Sequence, residues 1–144
     1  MISFRNDYSE GAHPSVLEAI SKHNFETTCG YSMDPFCQQA ADTVRALTAC
    51  RDSGVHPIQC NTLANTIVIS AALRSWEGVI AATTGHINVH ETGAIESSGH
   101  KVCAIEAPDG KLTPALVHEV MRIHCDGKDE HMVLPRMVYI SDAT

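Results

Sequence analysis

From residue 55 to residue 144, short apolar segments of strand length alternate with longer segments of helical periodicity. Such alternation predicts an α/β fold, a mostly parallel sheet with flanking helices, because each helix returns the chain to start the next parallel strand. The predicted strands are residues 55–59, 78–82, 101–106 and 136–140. The predicted helices are residues 62–73, 91–98 and 113–123. Ligands of such sheets bind at the carboxyl ends of the strands, so the loops there are candidate sites.

Two helices are predicted ahead of this alternating region. Residues 14–24 place Val16, Leu17 and Ile20 on one face, with a proline in the first turn. A second helix is predicted from Asp34-Pro35 to about Cys50, because aspartate is a favoured N-cap and proline a favoured first residue. The chain is therefore divided into residues 1–54, an N-terminal arm with helices, and residues 55–144, an α/β domain.

Charge, hydropathy and cysteine pattern narrow the classes of protein. The formal net charge is -7, with 10 Lys and Arg against 17 Asp and Glu, which argues against a nucleic-acid partner. No apolar run reaches the ~18 residues of a membrane span, and the start lacks the layout of a signal peptide. The 6 cysteines are scattered, which favours reduced and mostly buried thiols over a disulfide framework. We expect a cytoplasmic protein.

The first candidate site is the loop at residues 59–65, between a predicted strand and a predicted helix. Backbone N–H groups at a helix start attract anions, so a phosphate would fit there. Thr62 adds a hydroxyl donor, and Asn61 tolerates a left-handed backbone conformation. The alternative is that Asn61 or Thr62 is only the N-cap of the helix.

The second candidate is the segment from His86 to Glu91, which follows the predicted strand at 78–82. His86, His90 and Glu91 could bind a metal if the segment were helical, although the order of residues is not that of the zinc proteases. The alternative is a pair of solvated or capping histidines. Tyr31 stands in an unusual loop after Gly30, but its spacing alone assigns it no role.

Four segments, in order along nearly the whole chain, resemble the threonine aldolase and β-eliminating lyase family of fold-type I pyridoxal-phosphate enzymes. They are Arg5-Asn6-Asp7, Gly30-Tyr31-Ser32-Met33-Asp34-Pro35, Asn61-Thr62-Leu63-Ala64-Asn65 and the block from His86 to Glu91. In that family the third segment holds the cofactor phosphate. This agrees with the argument from the helix start that was made above from the residues alone.

The resemblance implies roles for particular residues. Asn61, Thr62 and Leu63 would bind the phosphate of pyridoxal 5'-phosphate, and His86 would stack on its ring. His131, matched with a shift of the alignment, corresponds to a histidine that helps handle the substrate hydroxyl in some members. The substrate contacts would be Asn6, Tyr31 and His90. No metal site is implied.

The resemblance also shows departures. Where the family has two small residues, this chain has Cys60-Asn61, and a side chain there could crowd a phosphate. The family's Schiff-base lysine and its aspartate partner of the ring nitrogen lie beyond the segment 141–144. The four lysines of this sequence stand in other contexts; they are Lys22, Lys101, Lys111 and Lys128. The resemblance therefore implies an incomplete, truncated large domain, with residues 55–144 as its first part.

The activity implied is aldol cleavage of L-threonine or a related β-hydroxy amino acid to glycine and an aldehyde, with the fragment alone inactive. A homo-oligomer is implied for the intact protein, because sites of this fold type lie between subunits. Three alternatives stay open. They are a β-eliminating amino-acid lyase, a non-catalytic remnant, and a metal-dependent hydrolase built on His86, His90 and Glu91.

Overall fold

The computed structural model describes residues 9–127 and 129–141. The chain forms two compact units, residues 1–57 and residues 58–144. The segment Arg5-Asn6-Asp7, with the candidate substrate residue Asn6, and the segment 142–144 lie outside the described residues. No helix in the described ranges has the length and apolar character needed to cross a membrane.

The first unit contains helix α1, Pro14–His23, and helix α2, Pro35–Leu47, which confirms the two predicted helices. The Asp34 carboxylate caps α2 by accepting a hydrogen bond from the Cys37 N–H at 2.9 Å. Hydrogen bonds from the Cys37 side chain and backbone lower the pKa of Asp34. Helix α2 ends three residues earlier than predicted, and Ala49 then has a positive φ of 53°.

The second unit alternates helices and strands around a three-stranded parallel sheet. Its helices are α3 (Asn61–Ala72), α4 (His86–Val89), α5 (Ala94–Ser97) and α6 (Pro114–Cys125). Its strands are β1 (Glu77–Ala82), β2 (Lys101–Ile105) and β3 (Leu134–Val138), and a 3-10 turn covers Pro108–Gly110. Strand β1 is central, in the order β2-β1-β3. This confirms the predicted α/β class.

Strand β1 is almost fully buried because helices cover both faces of the sheet. On one face, Val79 and Ala81 pack in a cluster with residues of α3, α4 and α5. On the other face, Ile80 packs with Cys103 of β2 and Val120 of α6. The alternation follows from the strand geometry, which points successive side chains to opposite faces. The uniformly apolar sequence of β1 is typical of a parallel strand between two helical layers.

The predicted strand at 55–59 is wrong. These residues form no strand, and most of them are exposed. Pro57 has no N–H to donate to a sheet, and both edges of β1 are already occupied by β2 and β3. The segment leads into α3 without pairing, and the described sheet begins at β1.

Two further predicted elements have different boundaries. The helix expected at 91–98 is replaced by α5, because Thr92 and Gly93 have positive φ values of 55° and 74°. The last strand is Leu134–Val138 rather than 136–140, since Leu134 and Pro135 already pair with the start of β1. Pro135 is tolerated there because β3 has only one neighbour in the described sheet.

All six cysteines carry free thiols, as the scattered pattern predicted. The expectation that most are buried is wrong, because only Cys103 is buried and four of the others are exposed. Burial raises the pKa of the Cys103 thiol. This cysteine packs in the core between β1 and α6, where a small apolar side chain is needed.

Candidate functional site

The start of α3 has no side-chain cap among the described residues. Its N-cap is Cys60, whose thiol makes no capping hydrogen bond, and no other side chain in the described part of the chain caps this helix. Asn61 and Thr62 are the first two residues inside the helix, so the alternative that one of them is the N-cap is wrong. The first N–H groups of a helix have no partner within it, and the helix dipole adds a partial positive charge there.

Helix α4 places His86 at the carboxyl end of β1. A tight turn connects them, in which the Gly85 N–H donates to the carbonyl oxygen of Ala82 at 2.8 Å. The His86 N–H then donates to the Ser141 hydroxyl at 3.1 Å, which ties the helix start to the segment after β3. Ile87 points into the core. His86 is thus held by its backbone while 45% of its side chain stays exposed.

A buried carboxylate joins α3 to α4. Glu91 Oε1 lies 2.8 Å from His86 Nδ1 and accepts a hydrogen bond from Asn65 Nδ2 at 2.7 Å. The Glu91 side chain is 0% exposed. Since Asn65 is three residues after Thr62 on the same helix, this chain of hydrogen bonds connects the first turns of α3 to the His86 ring.

The other predicted site residues lie in different places. His90 follows α4, and its ring centroid is 5.5 Å from that of His86 at a tilt of 55°. Tyr31 is exposed in the first unit, with a φ of 61°. His131 is in the turn before β3, where its N–H donates to Asp129 Oδ1 at 2.9 Å. Because the strands are parallel, His131 lies near the amino ends of the strands and His86 near the carboxyl ends, so the structure does not bring them together.

Among residues 9–127 and 129–141, no three His, Cys, Asp or Glu side chains lie close enough together to hold a metal ion. His86 Nδ1 is occupied by its hydrogen bond to Glu91. The carboxylate that would complete a metal set is therefore already used to hold the histidine and Asn65.

The sequence alone predicts no role for Asn65 and Ser141, which both form hydrogen bonds in the network around His86. Asn65 belongs to the segment 61–65, but nothing in its local pattern predicts a contact with a residue 26 positions later. Ser141 bonds to a backbone group 55 positions earlier. The one available signal was that both stand in segments expected at the ligand-binding end of the sheet.

Several known proteins are similar to this chain over nearly its whole length. The curated relatives include the low specificity L-threonine aldolases of Pseudomonas sp. (strain NCIMB 10558), 34% identical, and of Pseudomonas aeruginosa, 30% identical. Each match covers 98% of this chain and 40% of the relative. A structure of Leishmania major threonine aldolase matches with a TM-score of 0.91 and 45% identity, over 96% of this chain and 40% of that one. The family model for beta-eliminating lyases matches residues 4–144, and the chain belongs to that family.

Proposed function

We propose that the start of α3 and His86 form the phosphate-binding and ring-contacting part of a pyridoxal-phosphate-dependent carbon–carbon lyase of the threonine aldolase type. The observation that carries the proposal is the uncapped start of α3, connected to His86 through Asn65 and Glu91. The names of the curated relatives support it. Because the chain spans about 40% of their length, the activity is assigned to the whole protein, and covalent capture of the cofactor to a lysine outside residues 1–144.

The start of α3 fits the phosphate group of the cofactor. The N–H groups of Asn61, Thr62 and Leu63, together with the Thr62 hydroxyl, would donate to its oxygens. No side chain in the described ranges competes for this helix start. The Asn61 side chain is exposed, which leaves it room to turn away from a bound phosphate.

His86 would lie against the cofactor ring, and the neighbouring His90 would contact the substrate. The cofactor supplies an electron sink for the carbon–carbon bond that breaks in L-threonine or a related β-hydroxy amino acid, giving glycine and an aldehyde. Tyr31 and Asn6 are assigned to the substrate on the resemblance alone. His131 is left out of the proposed site because it stands near the opposite end of the strands.

Replacing Thr62 with alanine is expected to weaken binding of pyridoxal phosphate about 10- to 100-fold, the usual effect of losing a hydrogen bond to a charged group. Equilibrium dialysis of the purified protein measures its affinity for pyridoxal phosphate. Pyridoxal, which lacks the phosphate, is the control ligand. Thr66→Ala is the matched control, because its hydroxyl donates to the Thr62 carbonyl inside the helix at 2.8 Å. Equal affinities for the wild type and Thr62→Ala would contradict the proposed phosphate site.

We propose that the whole protein is a homo-oligomer. In support, α3 exposes three large apolar side chains, Leu63, Ile67 and Val68, beside the proposed phosphate site. Exposed apolar surface of this kind is typical of an interface. Light scattering is expected to give the mass of a dimer or larger assembly, and a monomeric mass at every concentration would contradict this.

We also propose that the protein is cytoplasmic. Its six thiols are unpaired, and four of them are exposed. Exposed free thiols persist in reducing compartments, whereas secreted proteins tend to form disulfides.

A further inference from the structure

The Glu91 carboxylate occupies an unusual position, since it is buried directly beside a histidine that is partly open to solvent. The exposed fraction is 0% for the Glu91 side chain and 45% for the His86 side chain. A buried carboxylate is costly unless hydrogen bonds replace its lost water. Here both of the hydrogen bonds converge on Oε1, while Oε2 has no partner among the described residues.

Because both hydrogen bonds end on Glu91 Oε1, the donor in each can be identified. Asn65 Nδ2 lies 2.7 Å from Glu91 Oε1 and can only donate. The opposite orientation of the amide would place its oxygen against the carboxylate oxygen, which is repulsive. Oε1 therefore accepts from Asn65, and an ionised carboxylate also accepts from His86 Nδ1 at 2.8 Å. The proton of the neutral imidazole is then on Nδ1.

We propose that Glu91, itself oriented by Asn65, is a positioning residue that fixes His86 in the tautomer protonated at Nδ1. In a neutral imidazole, a proton on Nδ1 leaves the lone pair on Nε2. Nε2 is thus the atom of this ring that can accept a proton from a bound ligand. The catalytic consequence rests on the proposed function, whereas the tautomer is a property of the protein without any ligand.

The surrounding contacts hold the ring as well as its proton. The His86 N–H donates to the Ser141 hydroxyl at 3.1 Å, and the adjacent Ile87 is fixed in the core. With the backbone held on one side and Nδ1 on the other, the imidazole has little freedom to rotate. Such partners on the far nitrogen are how proteins usually set the orientation of a functional histidine.

The test is long-range ¹H–¹⁵N NMR correlation of the histidine rings at about pH 8, where an ordinary imidazole is neutral. The purified protein is used without cofactor, and the His86 signals are identified by their loss in His86→Gln. We expect the pattern of a ring protonated at Nδ1. A pattern protonated at Nε2 would overturn the proposal.

Three variants separate positioning from a general effect of charge. Glu91→Leu removes the acceptor and is expected to shift His86 toward the Nε2-protonated form, whereas Glu91→Gln, which can still accept at Oε1, retains the Nδ1-protonated form. Glu96→Gln removes an exposed carboxylate of α5 and is expected to change nothing. An unchanged tautomer in folded Glu91→Leu would count against the proposal. If the proposed phosphate site is wrong, Thr62→Ala will bind pyridoxal phosphate with the affinity of the wild type. The tautomer of His86 does not depend on that result.

Discussion

Replacing Gly78 with alanine is expected to lower the free energy of unfolding of residues 58–144 by about 2–3 kcal/mol, the range for overpacking a core. A Cβ at this position would lie 2.7 Å from Val133 Cγ1 and 2.8 Å from the Lys101 carbonyl oxygen. The valine side chain can move, but the carbonyl belongs to the paired strand β2. The two strands must therefore separate or shift in register to admit the methyl group.

Urea denaturation followed by circular dichroism and by the fluorescence of Trp76 measures this loss. The single tryptophan lies in the second unit, so its signal reports on the same residues. Gly127→Ala is the matched control, because a Cβ there would have no atom within 4 Å. Equal midpoints for the two variants would show that the sheet has more room at Gly78 than the structure indicates.

Replacing Ile87 with alanine is expected to cost about 3 kcal/mol, within the usual range for truncating a buried isoleucine. Ile87 is 1% exposed and belongs to the cluster that also contains Val79 and Ile95. Helix α4 has only four residues, too few to be stable alone, so it depends on this side chain for its place. The same change should loosen His86, which precedes Ile87 directly.

The control for this prediction is Val89→Ala in the same helix. Val89 is 48% exposed, so its truncation should change the free energy of unfolding by no more than about 0.5 kcal/mol. Ile87→Val should fall between them, at about 1 kcal/mol. The same urea titration serves for all three variants. If Ile87→Ala and Val89→Ala lose equal stability, α4 is held by contacts other than the apolar core.

Local signals in the sequence predicted the elements that depend on neighbouring residues. Helix α2 begins where Asp34 and Pro35 predict, because the cap and the proline act within one turn. Strand β1 was recognised by its continuous apolar run. The segment 55–59 contains the β-branched residues Val55 and Ile58, but a strand exists only where a second strand pairs with it. Pairing depends on residues far along the chain, as β1 shows, whose two partners β2 and β3 both follow it in sequence.

In the candidate site, too, some features depend on local sequence and others on how distant elements pack. The helix start at which we propose the anion site could be predicted, because it depends on one helix terminus. The hydrogen bond from Asn65 to Glu91 could not, since it depends on how α3 packs beside α4. The separation of His131 from His86 follows from the parallel strand direction that the sequence predicts, because His131 precedes β3 and His86 follows β1. Parallel pairing of β1 and β3 then placed the two histidines near opposite ends of the sheet.

The sheet order has a consequence for synthesis of the chain. Strand β1 is made first, yet both of its neighbours come later, and β3 follows only after β2 and α6. Parallel strands cannot be joined by a local hairpin. Both edges of β1, the most apolar strand, therefore stay unpaired until β2 and β3 have been synthesised. Unpaired edges of this kind readily associate with other chains. The interval between the emergence of β1 and of β3 from the ribosome is therefore when this unit is most prone to aggregate.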